Sequence, residues 1–263
     1  MKNRTNVVLK QSLATVMIAF ASVAAHAAEV KVTAASTTWG NWASENSGGG
    51  SSAITGTMAQ SGNGSLELKG DRTRFIGLGN PYSQASNLGL LSQLSNLTFD
   101  WAIASGSTSN LGPDYTPALR VIVHDNGQRS ELIWEGAYNG TYGNTNRDTW
   151  YTSGAGDKFH RFVAGSGPTF EGNTQVNLSL LDWIGSSYYS STAYISAFSV
   201  GVGSSVGSGY LAFADNVTIG LNGVTNTYNF ELEAAAVPEP GSLALLGLGL
   251  AGAAVMRRRS RAG

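Results

Sequence analysis

Apolar and polar residues alternate at every second position through most of the middle of the chain. In the run 97–103, leucine, phenylalanine, tryptophan and isoleucine occupy the odd positions, and Thr98, Asp100 and Ala102 lie between them. Successive side chains of a strand point to opposite faces, so this alternation predicts a half-buried strand. The same pattern recurs in six further runs: 65–69, 119–124, 130–135, 195–202, 210–219 and 225–231.

Helical periodicity is short wherever it occurs between these runs. No stretch of residues 28–236 keeps a helical period beyond about ten residues, although the leucines at 88, 91 and 94, or the run 178–184, allow one or two helical turns. Glycine, serine and asparagine separate the predicted strands. The sequence therefore predicts one all-β domain with long loops, spanning residues 28–236.

The first 27 residues contain a basic, an apolar and a small-residue segment in that order. Three basic residues stand before residue 11, an uncharged and mostly apolar run follows from 13 to 25, and Ala25 and Ala27 occupy small-residue positions around a histidine. This order is typical of a secretory signal peptide that signal peptidase removes. We therefore predict a signal helix within residues 1–27 and a mature protein that begins near Ala28.

The last 27 residues repeat these features in reverse. Val237, Pro238, Glu239 and Pro240 precede an uncharged run at 241–256, and arginines follow at 257, 258, 259 and 261. As a helix, the 16 residues of that run would span ~24 Å, which is a little short of the ~30 Å of a bilayer core. Arginines after a span stay in the cytoplasm, so the pattern predicts a transmembrane helix with the middle domain outside the membrane.

The motif Pro238, Glu239 and Pro240, the apolar run, and Arg257, Arg258 and Arg259 together resemble the PEP-CTERM sorting signal of Gram-negative bacteria. The resemblance implies that an exosortase-type membrane enzyme processes the protein at the Pro-Glu-Pro segment. It also implies an inner-membrane intermediate and then a cell-surface or extracellular destination, in hosts that make exopolysaccharide. It covers residues 237–263 and implies nothing about the chemistry of the middle domain.

The charges are distributed unevenly between the ends and the middle. Seven of the 16 Lys and Arg lie before residue 11 or after residue 256, and none of the 17 Asp and Glu does, so the region between carries a net charge of −8. An acidic surface argues against nucleic acid as a partner, because nucleic acid requires clustered Lys and Arg. The chain has no cysteine, which excludes disulfides, cysteine nucleophiles and zinc-thiolate sites.

Three segments of the middle domain resemble jelly-roll domains of the galactose-binding or carbohydrate-binding-module type. They are Trp39 with Trp42, the sequence Gly62-Asn63-Gly64-Ser65-Leu66, and Asp215-Asn216-Val217. The resemblance implies a jelly-roll β-sandwich and sugar binding. It also implies a structural Ca²⁺ with Asp215 as a ligand, whereas the ordinary role of Asp and Asn in turns is the alternative.

A cluster of aromatic residues is the candidate glycan site. Flat rings that alternate with glycine and asparagine can stack on sugar faces while the amides bind hydroxyl groups. The alternative is that Trp134 belongs to the core and that the tyrosines cover loop backbone. The predicted glycan contacts are Trp134, Tyr138, Tyr142, Trp150 and Tyr151.

Catalysis has weaker support in the sequence. Glu131 and Glu135 share one face of a predicted strand, but four residues separate their positions by ~13 Å, beyond the ~5 to 9.5 Å of glycosidase pairs. A pair from two strands, such as Asp100 with Glu135, remains an alternative. His124 and His160 are the histidines left after the signal peptide, and we expect both at the surface or in turns.

The sequence as a whole predicts a noncatalytic exported protein of the cell surface or extracellular matrix, associated with exopolysaccharide. The first alternative is a carbohydrate-binding module with a defined glycan site. The second is an extracellular glycoside hydrolase. No cofactor is expected apart from the structural calcium.

Overall fold

The computed structural model describes residues 27–37, 39, 45–141 and 144–233. The predicted signal helix, the Pro-Glu-Pro segment and the predicted membrane helix at 241–256 lie outside the described residues. Within the described part of the chain, no helix has the length and apolar character needed to cross a membrane.

The regular secondary structure of the described residues is almost entirely β-strand. A single short helix, α1, covers Leu180–Gly185, and two 3-10 turns cover Leu91–Gln93 and Gly136–Tyr138. The strands are β1 (Ala28–Val32), β2 (Ser51–Thr55), β3 (Ser65–Lys69), β4 (Thr73–Gly79), β5 (Gly89–Leu90), β6 (Leu94–Ile103), β7 (Ala118–Asp125), β8 (Gln128–Trp134), β9 (Tyr151–Thr152), β10 (Lys158–Val163), β11 (Gly167–Pro168), β12 (Phe170–Glu171), β13 (Thr174–Gln175), β14 (Asn177–Ser179), β15 (Tyr194–Val202), β16 (Leu211–Leu221) and β17 (Val224–Phe230).

The first sheet is organised around β16. One edge of β16 pairs with β6 from Ala212 to Leu221. The opposite edge pairs with β3 over residues 211–214 and with β17 over residues 217–221, so β3 and β17 lie end to end along one strand. β2 pairs with β3, β9 pairs with β6, and β1 runs parallel to β17 at the edge.

The second sheet is antiparallel, with the strand order β10, β8, β7, β15 and β4. β11 and β14 pair with the outer edge of β10, and β5 pairs with β15 beside the end of β4. β12 and β13 form a separate hairpin.

The two sheets face each other across a shared aromatic and aliphatic core. The ring of Phe99, on β6, meets the ring of Trp134, on β8, edge to face at a centroid distance of 5.1 Å. A second group joins Phe230, on β17, to Trp39 at 5.2 Å and to Phe75, on β4, at 5.9 Å. Edge-to-face rings add to the free energy gained by burying apolar area, so these contacts hold the sheets in register.

The short helix α1 closes one margin of this core. The hydroxyl of Ser179 accepts a hydrogen bond from the Asp182 backbone N–H at 3.2 Å, which is the usual N-cap arrangement. Trp183 is fully buried, and its indole N–H donates to the Phe159 carbonyl at 2.7 Å. The helix therefore forms because a cap and one buried ring fix it against β10.

The all-β prediction is confirmed, and so are the seven alternating runs. Each corresponds to a strand whose limits differ from the predicted run by at most three residues. The prediction missed four strands of five residues or more, β1, β2, β4 and β10. In β10, Phe159 lies in the core while His160 and Phe162 lie on the other face, so both faces carry apolar groups and the alternation disappears.

Trp101 tests the packing between the sheets, because it is 2% exposed and its ring stacks on Tyr151 at 4.9 Å. We expect Trp101→Ala to lower the free energy of unfolding by about 3 to 5 kcal/mol, measured by chemical denaturation. Phe170→Ala is the control, since that ring is 53% exposed, and it should cost less than about 0.5 kcal/mol. Equal losses in the two variants would contradict the burial of Trp101.

Candidate functional site

The outward side of the second sheet forms a groove of about 390 Å³, which we call the arginine groove. Its position follows from strand alternation: in β7 the core takes Leu119, Val121 and Val123, so Arg120 points to the opposite side. Strands β4, β7, β8 and β10 all contribute to its lining. The charged lining residues are Arg72, Arg74, Arg120, Arg129, Glu131 and Glu135.

Glu131 is the anionic centre of the arginine groove and is 3% exposed. Arg74 donates to both of its carboxylate oxygens, with each N to O distance 3.2 Å. Arg129 donates to Oε1 at 3.0 Å. Arg74 also forms an ion pair with Glu45 at 3.3 Å. These hydrogen bonds compensate for the desolvation of a buried carboxylate, so Glu131 is held rigidly in place.

Arg120 lies beside this centre but is not well satisfied by it. The residue is 5% exposed, and its Nε lies 3.7 Å from Glu131 Oε2, within ion-pair range. Neither Nε nor Nη1 makes a hydrogen bond within the described part of the chain. Burial lowers the pKa of Arg120, and the neighbouring Arg74 lowers it further. An arginine remains charged even so, and this residue of the groove lining has two buried donors without a hydrogen bond in the described part of the chain.

Two further titratable groups in the groove have pKa values that are shifted in favour of their neutral forms. Burial raises the pKa of Glu135, against the opposing effects of Arg120 and a hydrogen bond from Tyr115. Burial lowers the pKa of His160 to about 4, with a second contribution from Arg120. His160 is therefore an uncharged imidazole at neutral pH, and Glu135 retains its proton more readily than an ordinary glutamate.

Two exposed rings stand among the lining residues of the groove. Tyr82 is 52% exposed and Phe162 is 38% exposed. The Arg129 guanidinium carbon lies 5.0 Å from the Tyr82 ring centroid, within the range of a cation–π contact. The groove thus combines accessible aromatic surface with fixed charges, which is the composition of a ligand site rather than of a core.

The aromatic residues predicted as glycan contacts do not form one exposed cluster. Trp134 is 1% exposed, and its indole N–H donates to Asp157 at 2.7 Å. Tyr151 is half-buried against Trp101, and its hydroxyl accepts from the Asn146 backbone N–H at 2.7 Å. Both residues serve the core or the loop that covers it.

The other three predicted contacts lie in different surroundings. Tyr138 is half-buried with its ring 5.1 Å from His160, edge to face, and its hydroxyl donates to Gln175 at 3.3 Å. Trp150 is half-buried, and its indole nitrogen has no hydrogen-bond partner among the residues that the structure describes. Tyr142 and the cleavage-site Ala25 fall outside the described residues.

Asp215 lies at the junction where β3 and β17 meet along β16. Its Oδ1 accepts backbone N–H groups of Asn216 and Phe230, each at 2.8 Å, and its Oδ2 accepts the N–H of Ser61 at 3.3 Å. Among the described residues no group of three or more acidic, histidine or cysteine side chains is arranged to hold a metal. The carboxylate takes the place of the strand partners that these N–H groups lack. Calcium at Asp215 stays a prediction.

The junction also brings together two segments that the sequence singled out. The Asn63 side-chain oxygen accepts the Leu232 N–H at 3.0 Å, and the Asn63 N–H donates to Glu231 at 2.6 Å. A Cβ on Gly64 would lie 2.7 Å from the Leu232 nitrogen, so only glycine permits this approach. The glycine-rich segment before β3 and the Asp-Asn-Val segment of β16 therefore belong to one structural joint.

Asp100 and Glu135 are on different sheets. Asp100, on β6, accepts hydrogen bonds from Gln60 and Thr152 beside the junction, whereas Glu135 lines the arginine groove. They do not face each other as a catalytic pair. The expectation of surface histidines is wrong, since His124 is 4% exposed beneath Tyr194 and His160 is 7% exposed.

The arginine groove was missed in the sequence, although a signal was present. Arg120 and His124 occupy one face of β7, and Arg129, Glu131 and Ile133 occupy the same face of β8. Paired strands that place charges on one face, opposite an apolar face, mark a charged sheet surface. The burial of Arg120, His124 and Glu131 on that face could not be read from the alternation alone.

Comparison with known protein families identifies the tail. Residues 236–259 match the family model described as the PEP-CTERM protein-sorting motif. The match includes Pro238, Glu239, Pro240 and the three consecutive arginines that begin at Arg257, so the motif indicates an exported surface protein sorted by exosortase. No curated protein and no solved structure matches the chain.

The pH dependence of stability tests the role of Asp215. Burial raises its pKa to about 7, against the stabilising backbone donors, whereas an unfolded aspartate titrates near about 3.9. Between about pH 4 and about pH 7, Asp215 in the folded protein therefore retains a proton that the unfolded chain has lost. The contribution of this carboxyl to stability is complete below about pH 4 and is lost as the pH rises through about 7.

His160 has the opposite dependence, because its folded pKa of about 4 lies below the unfolded value near about 6.5. Its contribution is present above about pH 6.5 and is lost as the pH falls through about 4.

The difference in free energy of unfolding between the wild type and Asp215→Asn isolates the aspartate. We expect urea denaturation to show this difference falling by about 2 kcal/mol from about pH 5 to about pH 8. A constant difference would contradict the raised pKa.

Proposed function

We propose that this protein is a noncatalytic component of the cell surface or extracellular matrix that associates with the host's exopolysaccharide through the arginine groove. The domain is a jelly-roll-like β-sandwich of the carbohydrate-binding-module type, delivered by the sorting motif. The groove carries this proposal, since Tyr82 and Phe162 offer exposed rings beside buried polar groups. Rings that stack on sugar faces, with fixed polar groups alongside, are typical of small-molecule and glycan sites.

A binding role is favoured over catalysis by the state of Glu131. Both of its oxygens already accept hydrogen bonds from arginines, so it is poorly placed to act as a free nucleophile or base. The raised pKa of Glu135 is the one observation that favours a glycoside hydrolase, because a general acid needs a proton at neutral pH. Release of reducing sugar from the host's polysaccharide, abolished by Glu135→Gln, would establish that alternative.

The exposed rings test the binding role. We expect the double variant Tyr82→Ala with Phe162→Ala to weaken binding to exopolysaccharide purified from the host by about tenfold, because two stacking surfaces are lost. Surface plasmon resonance on the immobilised polysaccharide measures this. Phe170→Ala is the control, since its ring is as exposed as that of Tyr82 but lies outside the groove. Unchanged affinity in the double variant would remove the groove from the proposal.

The sorting motif has its own test. We expect the wild-type protein in its host to lose the arginines at 257–261, and Glu239→Ala to retain them, because the prolines at 238 and 240 hold an extended segment that a membrane enzyme can reach. Mass spectrometry of the C-terminus measures the outcome. Glu233→Ala removes the same charge outside the matched residues and should be processed normally. Retention of the arginines in both the wild type and Glu239→Ala would make the tail an ordinary anchor.

A further inference from the structure

The basic residues of the middle domain are concentrated in the arginine groove. Residues 28–236 contain nine Lys and Arg, and four of them, Arg72, Arg74, Arg120 and Arg129, line this one groove. The domain is acidic as a whole, so the groove is a local exception to its net charge. Concentrated positive charge in a concave site attracts anions even when the protein is acidic overall.

The acidic residues near the groove do not balance these arginines. Two glutamates, Glu131 and Glu135, line the groove, and Glu45 reaches Arg74 from outside it. The hydrogen bonds of Glu131 are taken up by Arg74 and Arg129, which leaves Arg120 with an ion pair at 3.7 Å. The four arginines thus face three carboxylates, and Arg120 differs from Arg74 and Arg129 in making no hydrogen bond to Glu131.

Arg120 supplies the specific observation that points to a ligand. Its guanidinium is almost fully buried, lines the groove, and leaves Nε and Nη1 without a hydrogen bond in the described part of the chain. Buried donors are nearly always satisfied in folded proteins, and an exception needs an explanation. Around Arg120 stand Arg74 on β4, Glu131 and Glu135 on and after β8, Tyr115 before β7, and His160 on β10. Among these groups, only the two glutamates are anions that could accept a hydrogen bond from Arg120.

We propose that Arg120 binds an anionic substituent of an acidic sugar, so that the groove selects acidic over neutral glycan. This inference rests on the proposed function, because it names the chemistry of the same site. The exposed rings of Tyr82 and Phe162 hold the sugar faces, and the anion reaches inward to the two unsatisfied nitrogens. A carboxylate of a uronic acid and a sulfate ester both supply the required acceptor oxygens.

The test uses the host's own exopolysaccharide in three forms: untreated, with its carboxyl groups reduced to alcohols, and with its sulfate esters removed. The exported protein purified from the host is the analyte. We expect one treated form to bind at least about tenfold more weakly than the untreated polymer, and that form identifies the anion. Raising the salt from about 0.05 M to about 0.5 M should weaken binding to the untreated polymer and have little effect on that treated form.

Two variants separate recognition from folding. We expect Arg120→Met to bind the untreated polymer about tenfold more weakly, to lose the preference for it, and to melt at the same or a higher temperature, because a poorly paired buried charge is replaced by an apolar side chain. Lys69→Met removes the same charge from an exposed position on the first sheet and should bind as the wild type does.

The outcomes distinguish the two proposals. If all three polymer forms bind equally, or if Arg120→Met binds the untreated polymer as tightly as the wild type, the anionic selectivity is overturned while polysaccharide binding stands. A marked drop in the melting temperature of Arg120→Met, with no change in selectivity, would also overturn it and give Arg120 a structural role. If the untreated polymer does not bind, the proposed function fails and this inference fails with it.

Discussion

The first sheet depends on the junction at Asp215, where two strands share one edge of β16. β3 ends its pairing at Ala214, and β17 begins at Val217, so the backbone between them has no strand beside it. The Asp215 carboxylate fills this gap by accepting three backbone N–H groups. Without such acceptors, buried N–H groups would be left unpaired at considerable cost. The long loop before β3 and the end of β17 are both positioned by this one side chain.

A comparable carboxylate organises the second sheet, with a different result. Glu131 also lies buried among donors, but its donors are arginine side chains rather than backbone groups. At Asp215 the three backbone N–H donors are all hydrogen-bonded to the carboxylate. Beside Glu131, the Nε and Nη1 donors of Arg120 make no hydrogen bond in the described part of the chain. The first carboxylate completes a structural joint, whereas the second leaves these two donors of Arg120 without a partner among the described residues, which is the basis of the proposed binding site.

The sequence predicted the strands well where apolar residues alternate with polar or small residues. It predicted β6 and β16 closely, because Phe99 and Trp101 alternate with polar residues and core residues recur in β16. It missed β10, where Phe159 lies in the core and Phe162 lies on the opposite face, with 38% of its surface exposed at the arginine groove. Alternation requires apolar residues on one face only, so a strand with apolar residues on both faces loses the signal.

The candidate site was harder to predict than the fold for a related reason. Composition favours aromatic residues as sugar contacts, but Trp134 satisfies its indole within the protein and is core. The groove depends also on which strands become neighbours: Arg120 and Glu131 meet across the consecutive strands β7 and β8, whereas Arg74 is far from both in the chain and reaches them through the order of β4, β15, β7 and β8. Strand order is set by the whole core, so no local pattern reveals the contribution of β4.

The parallel pairing of β1 with β17 has a mechanical consequence. β17 is the last described strand before the sorting motif, and its ladders run along β1 on one side and β16 on the other. A pull directed along the axis of β17 would strain both ladders in shear, so that many hydrogen bonds would resist together rather than opening one at a time. A protein held to a membrane enzyme by its tail while its groove grips a polymer would transmit tension through this strand, and the fold places two partners beside it to resist that tension.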